Sequence, residues 1–234
     1  MFADQSILPM LAIAVAGAVL CLLLPRPRQV LITIVAVSAM EMALAVNIWT
    51  AVLDGRGFVT AAEQWFYIDA FSAFHIVVLT LVFLLSSAFA SVYFTSDTDG
   101  GSFTPAIARR FGALWLGSLA AMMLVLMSNN LGIMWVGMEA TTLLSAFLIS
   151  LYPNRLSLEA MWKYLIICSI GIAFAFMGTL LAAASIQSGG TNRMMQYSAV
   201  FSRKPENIAD TGAGAWLCAS GSQEWIGASP AFVP

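Results

Sequence analysis

The sequence predicts an all-α membrane protein with about six transmembrane helices and an irregular C-terminal tail. Hydrophobic residues make up 60% of the 234 residues and charged residues 9%, whereas a soluble domain carries about 25% charge. Mean hydropathy is +0.87. Six segments reach the roughly 20 mostly apolar residues that cross a bilayer. Because hydrocarbon leaves no water for an unpaired backbone, each segment is expected to form a helix.

Prolines, glycines and charges end each predicted span. The spans cover residues 7–24, 30–53, 71–93, 111–127, 131–151 and 160–184. The polar stretch 95–101 is expected to be a surface loop. Only Ser128-Asn129-Asn130 separates the fourth span from the fifth, so these two are expected to form a tight antiparallel hairpin. The first span lacks the basic region of a signal peptide, and we expect it to be retained.

Arginines are distributed unevenly between the predicted loops, and cytoplasmic loops retain positive charge. On one side, before the tail, the loops contain only Arg56. The loops after the first, third and fifth spans contain Arg26, Arg28, Arg109, Arg110 and Arg155. The sequence therefore predicts a multi-pass protein of a cell inner (plasma) membrane, with a non-cytoplasmic N-terminus.

The charge balance and the scarcity of metal-binding residues exclude several classes of protein. Net charge is −2, so there is no basic surface for nucleic acid. The three cysteines include no CxxC pair, and His75 is the only histidine. Neither a disulfide framework nor a zinc, iron–sulfur or haem site is expected. We therefore expect no metal, no cofactor and no catalytic centre within the chain.

Glu139 is the leading candidate for chemistry inside the membrane. It lies roughly 12 Å from the start of the fifth span and roughly 18 Å from its end, and a buried charge there costs at least about 2.5–3.5 kcal/mol. Thr142 and Ser145 follow within two turns and can share a polar face with it. Burial favours a neutral carboxyl and a cationic partner favours a charged one, which suits proton loading and release. The alternative is a protonated glutamate that serves packing alone.

Lys163 has two equally weighted interpretations. If Ser157 caps the sixth helix, Lys163 lies roughly 9 Å inside it, which is shallow enough for the side chain to snorkel. Glu159 precedes it by four residues, so a surface ion pair would account for both. The other interpretation is a role in a proton relay.

Four further polar residues lie in or beside the spans. Glu41 is in the middle of the second span and is a secondary candidate for a proton site. A polar contact between helices is the favoured interpretation for Asn47 and Asp69, and a packing role is favoured for His75.

Two motifs carry a resemblance to a known family. Residues 128–146 read SNNLGIMWVGMEATTLLSA, and residues 158–165 read LEAMWKYL. Together they closely resemble the hydrogenase-4 component F type of antiporter-like membrane subunit. This family includes proton-pumping subunits of respiratory complex I, of formate hydrogenlyase-type hydrogenases and of multisubunit cation/proton antiporters. The resemblance covers the first 184 residues, although the first three spans match only in hydropathy and in the position of Asp69.

The resemblance implies a function and the residues that perform it. It implies a membrane subunit of a proton-translocating hydrogenase or NADH/quinone dehydrogenase-type complex, with other membrane subunits as partners. Glu139 would take part in the proton path, and Lys163 would be an associated charge. Family members have about fourteen helices built as inverted repeats, and a lysine in a broken seventh helix pairs with the glutamate. This sequence offers six spans and no such lysine, so the N-terminal part of an antiporter-like subunit is expected.

The remaining residues predict a separate region. Residues 1–186 are expected to form the six-helix region, and residues 187–234 a Gly- and Ser-rich tail that is disordered. Reading the codons of Gln223 and Trp225 one base later yields Lys or Arg and then Gly, as in the family's seventh helix, so the tail is also consistent with an out-of-frame reading. The alternatives to a transport subunit are a membrane scaffold or inert fragment and, less favoured, a self-standing six-helix transporter.

Overall fold

The computed structural model describes residues 7–54, 58–61, 65–99 and 103–187. Its helices and strands are α1 (Ile7–Leu23), α2 (Pro27–Asp54), β1 (Phe58–Ala61), β2 (Phe66–Asp69), α3 (Ala70–Asp99), α4 (Pro105–Met127), α5 (Leu131–Ile149) and α6 (Arg155–Gln187). The prediction of an all-α membrane protein with about six helices is confirmed. The predicted tail, with Gln223 and Trp225, lies outside the described residues.

Five of the described helices are long and apolar enough to cross a membrane: α2 to α6. The shortest of them, α5, has 19 residues. Helix α1 has 17 residues, which corresponds to about 26 Å at about 1.5 Å per residue and falls at the lower limit for a span. The chain divides into two compact units, Met1–Phe176 and Met177–Pro234. All packing described below is within the first, and the second contributes the last turns of α6.

The core is built from residues of α1, α2, α3 and α4, and α1, α2 and α4 approach one another most closely at two glycines. A Cβ atom added to Gly17 of α1 would lie 3.0 Å from Val37 of α2 and 3.1 Å from Leu116 of α4. A Cβ atom added to Gly112 of α4 would lie 2.6 Å from Val30 and 3.0 Å from Cys21. These glycines let the three backbones approach closely, as small residues do in membrane bundles.

Helix α3 ends later than the sequence predicts, and the loop expected at 95–101 is wrong for residues 95–99. Thr95 Oγ1 donates to the backbone oxygen of Ser91 at 2.5 Å, which satisfies its hydroxyl within the helix. Phe94 stacks on Phe103 with ring centroids 4.4 Å apart, so the last turns are packed against the chain that leads into α4. A polar helix can continue past the hydrocarbon when tertiary contacts support it.

The connection between α2 and α3 contains a β-hairpin that the sequence did not predict. Strands β1 and β2 pair antiparallel, from Phe58 opposite Asp69 to Ala61 opposite Phe66. Phe66 also forms a bridge with Ser128, and the backbone N–H of Asn129 donates to the oxygen of Trp65 at 2.9 Å. The hairpin therefore lies at the same end of the bundle as the tight α4–α5 turn, as alternating helix directions require.

Candidate functional site

Glu41 is fully buried, although its side chain is a carboxylic acid. Its exposed fraction is 0%, and it lies about 21 Å from the start of α2 and about 20 Å from its end, at about 1.5 Å per residue. Neither carboxylate oxygen has a hydrogen-bond partner among the described residues. The backbone of Ala14 lies near the carboxylate but without the geometry of a hydrogen bond. The secondary candidate from the sequence is thus the more deeply buried of the two carboxylates.

The burial of Glu41 follows from the antiparallel packing of α1 on α2. Gly17 meets Val37. One turn further along α2 and one turn back along α1, the same register brings Glu41 beside Ala14. Ala45 continues this face and is fully buried. Periodicity places Glu41 near mid-membrane, but only this packing removes it from both lipid and water.

A buried polar line crosses α2, α3 and α4 one turn from Glu41. Ser38 Oγ and Ser87 Oγ are 3.0 Å apart and share a hydrogen bond. Trp115 Nε1 donates to Ser87 Oγ at 2.9 Å. Ser38 precedes Glu41 by three residues on α2, so the two side chains lie on the same face of the helix, one turn apart. Sequence analysis did not identify these residues. Hydroxyl groups within otherwise apolar spans could have indicated a polar contact between helices.

Glu139 is half-buried on α5, and no described residue donates a hydrogen bond to it. The hydroxyls expected to share its polar face are used by their own helix: Thr142 Oγ1 donates to the oxygen of Met138 at 3.1 Å, and Ser145 Oγ donates to the oxygen of Thr141 at 2.8 Å. One turn before Glu139, the ring nitrogen of Trp135 is buried without a partner among the described residues. Unpaired polar groups therefore occur on two consecutive turns of α5.

An open cavity of about 580 Å³ lies beside this part of α5. Its walls include Val125 of α4, Met138 and Thr142 of α5, and Gly171 of α6. A Cβ atom added to Gly171 would have no neighbour within 4 Å. The lining is mostly apolar, and its α5 residues are Met138, directly before Glu139, and Thr141 and Thr142 on the following turn.

Lys163 forms an ion pair with Glu159, with Nζ 2.5 Å from Oε1. Their side chains are 69% and 59% exposed, which is the surface pair that the sequence allowed. Ser157 does not begin the helix: α6 starts at Arg155, and Asn154 Oδ1 accepts from the backbone N–H of Ser157 at 2.7 Å. Among the described residues, Lys163 makes no ion pair with Glu139.

Two of the minor polar residues differ from expectation. Asn47 is exposed on α2, so its interpretation as a contact between helices is wrong. Asp69 instead caps α3, because its Oδ1 accepts from the backbone N–H of Ser72 at 2.7 Å. His75 is a packing residue, as expected: its Nδ1 is 2.8 Å from the oxygen of Phe71, and its ring lies against Phe74.

Comparisons with known proteins agree with this architecture. No family model matches the chain. The chain is 32% identical over 118 residues to a hydrogenase-4 component F homolog of Methylacidiphilum infernorum (isolate V4), a match that covers 50% of this chain and 25% of that protein. It also resembles a chain in the structure of the membrane-bound sulfane sulfur reductase, an archaeal respiratory membrane complex. The TM-score is 0.64 at 16% identity, over 91% of this chain and 43% of that one.

The fold and its buried polar groups define a multi-pass, all-α membrane protein. Within that class, the resemblance to antiporter-like membrane subunits of the hydrogenase-4 component F type is confirmed by the sequence match and by the shared fold. The matched part corresponds to a quarter of the curated relative's length and less than half of the solved chain.

Proposed function

We propose that the chain acts as a membrane subunit of a proton-translocating hydrogenase or NADH/quinone dehydrogenase-type complex and contributes part of its ion path. The similarity to a hydrogenase-4 component F homolog and the fold shared with a chain of a respiratory membrane complex support this proposal. The proposed location of the complex is a cell inner (plasma) membrane, with the N-terminus of this chain on the non-cytoplasmic side.

The observation that carries the proposal is the buried carboxyl of Glu41. A carboxyl without a partner in a dry interior costs several kcal/mol if it is ionised, and it is tolerated mainly in its neutral form. An apolar residue of similar size would pack there without that cost. A carboxyl that lowers the stability of the fold at mid-membrane is typical of a site that exchanges a proton.

In the proposed ion path, Glu139 supplies a second carboxyl on α5. Lys163 supplies an associated charge on α6. Glu139 is half-buried and receives no hydrogen bond from a described residue, and its neighbour Met138 lines an open cavity. The most apolar part of α6 has no buried residue, which leaves Lys163 free to exchange Glu159 for another partner. Other membrane subunits are the proposed source of that partner.

A non-transporting scaffold is the second candidate, and one observation favours it. Among the described residues, no chain of hydrogen bonds joins Glu41 to Glu139, and Lys163 is satisfied at the surface by Glu159. A scaffold would need only the apolar faces of the helices.

Proton uptake by membrane vesicles that contain the assembled complex distinguishes the two functions. We expect E41Q and E139Q to lower substrate-driven proton uptake, measured with a pH-sensitive dye, relative to the electron-transfer rate measured in parallel. N47A is the control, because Asn47 is an exposed polar residue of α2 that the proposal does not place in the path. If both variants keep the wild-type ratio of protons to electrons, the chain is a scaffold and the proposed path is wrong.

A further inference from the structure

The hydroxyls of Ser38 and Ser87 bond in a different way from most described hydroxyls within the spans. Those of Thr80, Ser118 and Thr142 each donate to a backbone oxygen of their own helix. Ser38 Oγ and Ser87 Oγ instead bond to each other across α2 and α3. Because a helical hydroxyl always has a backbone oxygen of the preceding turn within reach, either serine can leave this contact by a rotation about its Cα–Cβ bond.

The contact of Trp115, Ser87 and Ser38 leaves one hydroxyl hydrogen without an acceptor among the described residues. The indole nitrogen carries one hydrogen and each serine hydroxyl carries one, which makes three donors. Two bonds use them: Trp115 Nε1 donates to Ser87 Oγ at 2.9 Å, and one serine donates to the other at 3.0 Å. A hydroxyl that accepts a hydrogen bond is polarised into a better donor. This favours donation from Ser87 to Ser38 and leaves the hydrogen of Ser38 spare.

Glu41 offers the acceptors that this hydrogen lacks. Both carboxyl oxygens are buried, and neither has a hydrogen-bond partner among the described residues. Ser38 and Glu41 are three residues apart on one face of α2, a spacing that puts Cβ atoms about 5–6 Å apart. The described rotamer pairs Ser38 with Ser87, and rotation of its side chain turns the hydroxyl toward the carboxyl. Ser38 can therefore contact Ser87 and Glu41 in turn.

An open cleft of about 450 Å³ lies between α3 and α4 at the other side of this contact. Trp115 forms part of its wall, together with Ser86, Tyr93 and Phe111. Trp115 lies about 15 Å from the start of α4, and Tyr93 about 9 Å from the end of α3, at about 1.5 Å per residue. Tyr93 is exposed, as tyrosines are where a membrane protein meets headgroups and water. The cleft therefore leads from the membrane interface to the indole that is bonded to Ser87.

We propose that Ser87 and Ser38 relay protons between this cleft and Glu41, and that Trp115 closes the outer end of the relay. The proposal rests on the proposed function only in taking Glu41 as a group that exchanges a proton. When the indole moves aside, a hydronium ion in the cleft gives a proton to Ser87 Oγ and becomes water. Ser87 passes its own hydrogen to Ser38, and Ser38 passes its own to the carboxylate. Each hydroxyl gains one hydrogen and loses one, so one proton reaches Glu41.

Trp115 is suited to close the relay and not to take part in it. Its ring nitrogen donates a hydrogen bond but cannot accept one, so a proton cannot pass through the indole to Ser87. While Nε1 is bonded to Ser87 Oγ, it occupies the position that a water molecule needs. The relay ends at Glu41, so it loads and unloads this carboxyl from one side and does not cross the membrane.

Exchange of the Glu41 carboxyl hydrogen in D₂O tests the relay in the full chain, reconstituted in lipid vesicles. Infrared spectroscopy follows the C=O stretching band of the neutral carboxyl, and the band that is lost in E41Q identifies it. S38A should slow the exchange by about tenfold or more, which corresponds to about 1.4 kcal/mol in the barrier. S118A is the matched control and should keep the wild-type rate, because Ser118 is also buried and its Oγ donates to a backbone oxygen of its own helix.

Replacing Trp115 with Phe tests the closure. Phenylalanine lacks the indole N–H and its five-membered ring, which leaves space for water beside Ser87 Oγ. The exchange should therefore be severalfold faster in W115F than in wild type. S38A/W115F should stay as slow as S38A, because water at Ser87 still lacks the next group of the relay. The double variant thus separates an open relay from a loosened bundle.

Four results would contradict the proposal. Exchange in S38A at the wild-type rate or faster shows another route to Glu41, and destabilisation of the bundle would also speed exchange, not slow it. Slowing in S118A equal to that in S38A shows an effect of packing. An unchanged rate in W115F removes the closure, and fast exchange in S38A/W115F shows that the helices have loosened. These results leave the proton-to-electron ratio of E41Q untouched, whereas a spectrum without a band lost in E41Q would contradict the proposed function as well.

Discussion

The hydroxyl oxygens of Ser38 and Ser87 lie 3.0 Å apart between α2 and α3, and both side chains are fully or almost fully buried. Trp115 adds a third helix to this contact through its bond to Ser87. In an environment without water, each of these groups depends on the others for its hydrogen bonds. Ser87 is therefore the junction that joins α2, α3 and α4 by polar contacts.

Replacing Ser87 with Ala should destabilise the bundle. Both Ser38 and the Trp115 ring nitrogen would lose their partner, and an unsatisfied buried polar group costs about 1–3 kcal/mol. Thermal unfolding in detergent is the measurement. S91A is the control, because Ser91 Oγ donates only to the backbone oxygen of Ala88 in its own helix. Equal melting temperatures for S87A and S91A would show that the junction contributes nothing.

Replacing Gly112 with Ala should also destabilise the bundle, by about 1–3 kcal/mol through overpacking. The new methyl would lie 2.6 Å from Val30 and 3.0 Å from Cys21, so helices would have to separate. G171A is the matched control, since a Cβ atom there has no neighbour within 4 Å and alanine favours helix by up to about 1 kcal/mol. Comparable losses in both variants, measured by thermal unfolding, would contradict the close packing at Gly112.

Replacing Glu41 with Leu should stabilise the isolated chain or leave its stability unchanged, because the carboxyl oxygens have no hydrogen-bond partner among the described residues. Removing a buried polar group that lacks a partner recovers about 1–3 kcal/mol of desolvation free energy. L116A, at a fully buried apolar position, is the control that must destabilise. A lower melting temperature for E41L than for wild type would mean that the carboxyl has a partner.

Reconstituted alone, the chain should conduct protons no faster than empty vesicles under an imposed potential. Glu41 is sealed from water by α1 and α2, and Lys163 is held at the surface by Glu159. No described residue is positioned to switch the Glu139 carboxyl between its protonated and ionised forms. A pH-sensitive dye inside the vesicles reports the flux. A flux abolished by E139Q would show that these helices already form a working half-channel.

Single-cysteine labelling should place Trp65 and Pro153 on opposite membrane faces. Trp65 lies with the β-hairpin at the end that contains the α4–α5 turn, and α5 leads from that turn to the other end, where Pro153 is exposed. W65C and P153C are made in a variant without the native cysteines and treated with an impermeant thiol reagent on sealed vesicles. Labelling of both from one side would refute the alternating topology.

Sequence analysis predicted the helices well and the polar contacts less well. The α4–α5 turn was expected from Ser128 to Asn130, and there Asn130 Oδ1 caps α5 by accepting from the N–H of Gly132 at 2.8 Å. The hairpin β1–β2 was missed because its four-residue strands gain stability from the bridge between Phe66 and Ser128, a contact between distant segments. The end of α3 was misplaced for the same reason, since Phe94 and Phe103 hold it.

The sequence by itself determined the class of protein, the number of helices and the depth of Glu41, Glu139 and Lys163. These depend on the thickness of hydrocarbon and on a constant rise per residue, which act on each segment independently. Only the tertiary structure decided which carboxyl is sealed and that Ser38 meets Ser87. Such contacts depend on the rotation and register of one helix against another. Side-chain packing sets that register, here through close approaches at Gly17 and Gly112.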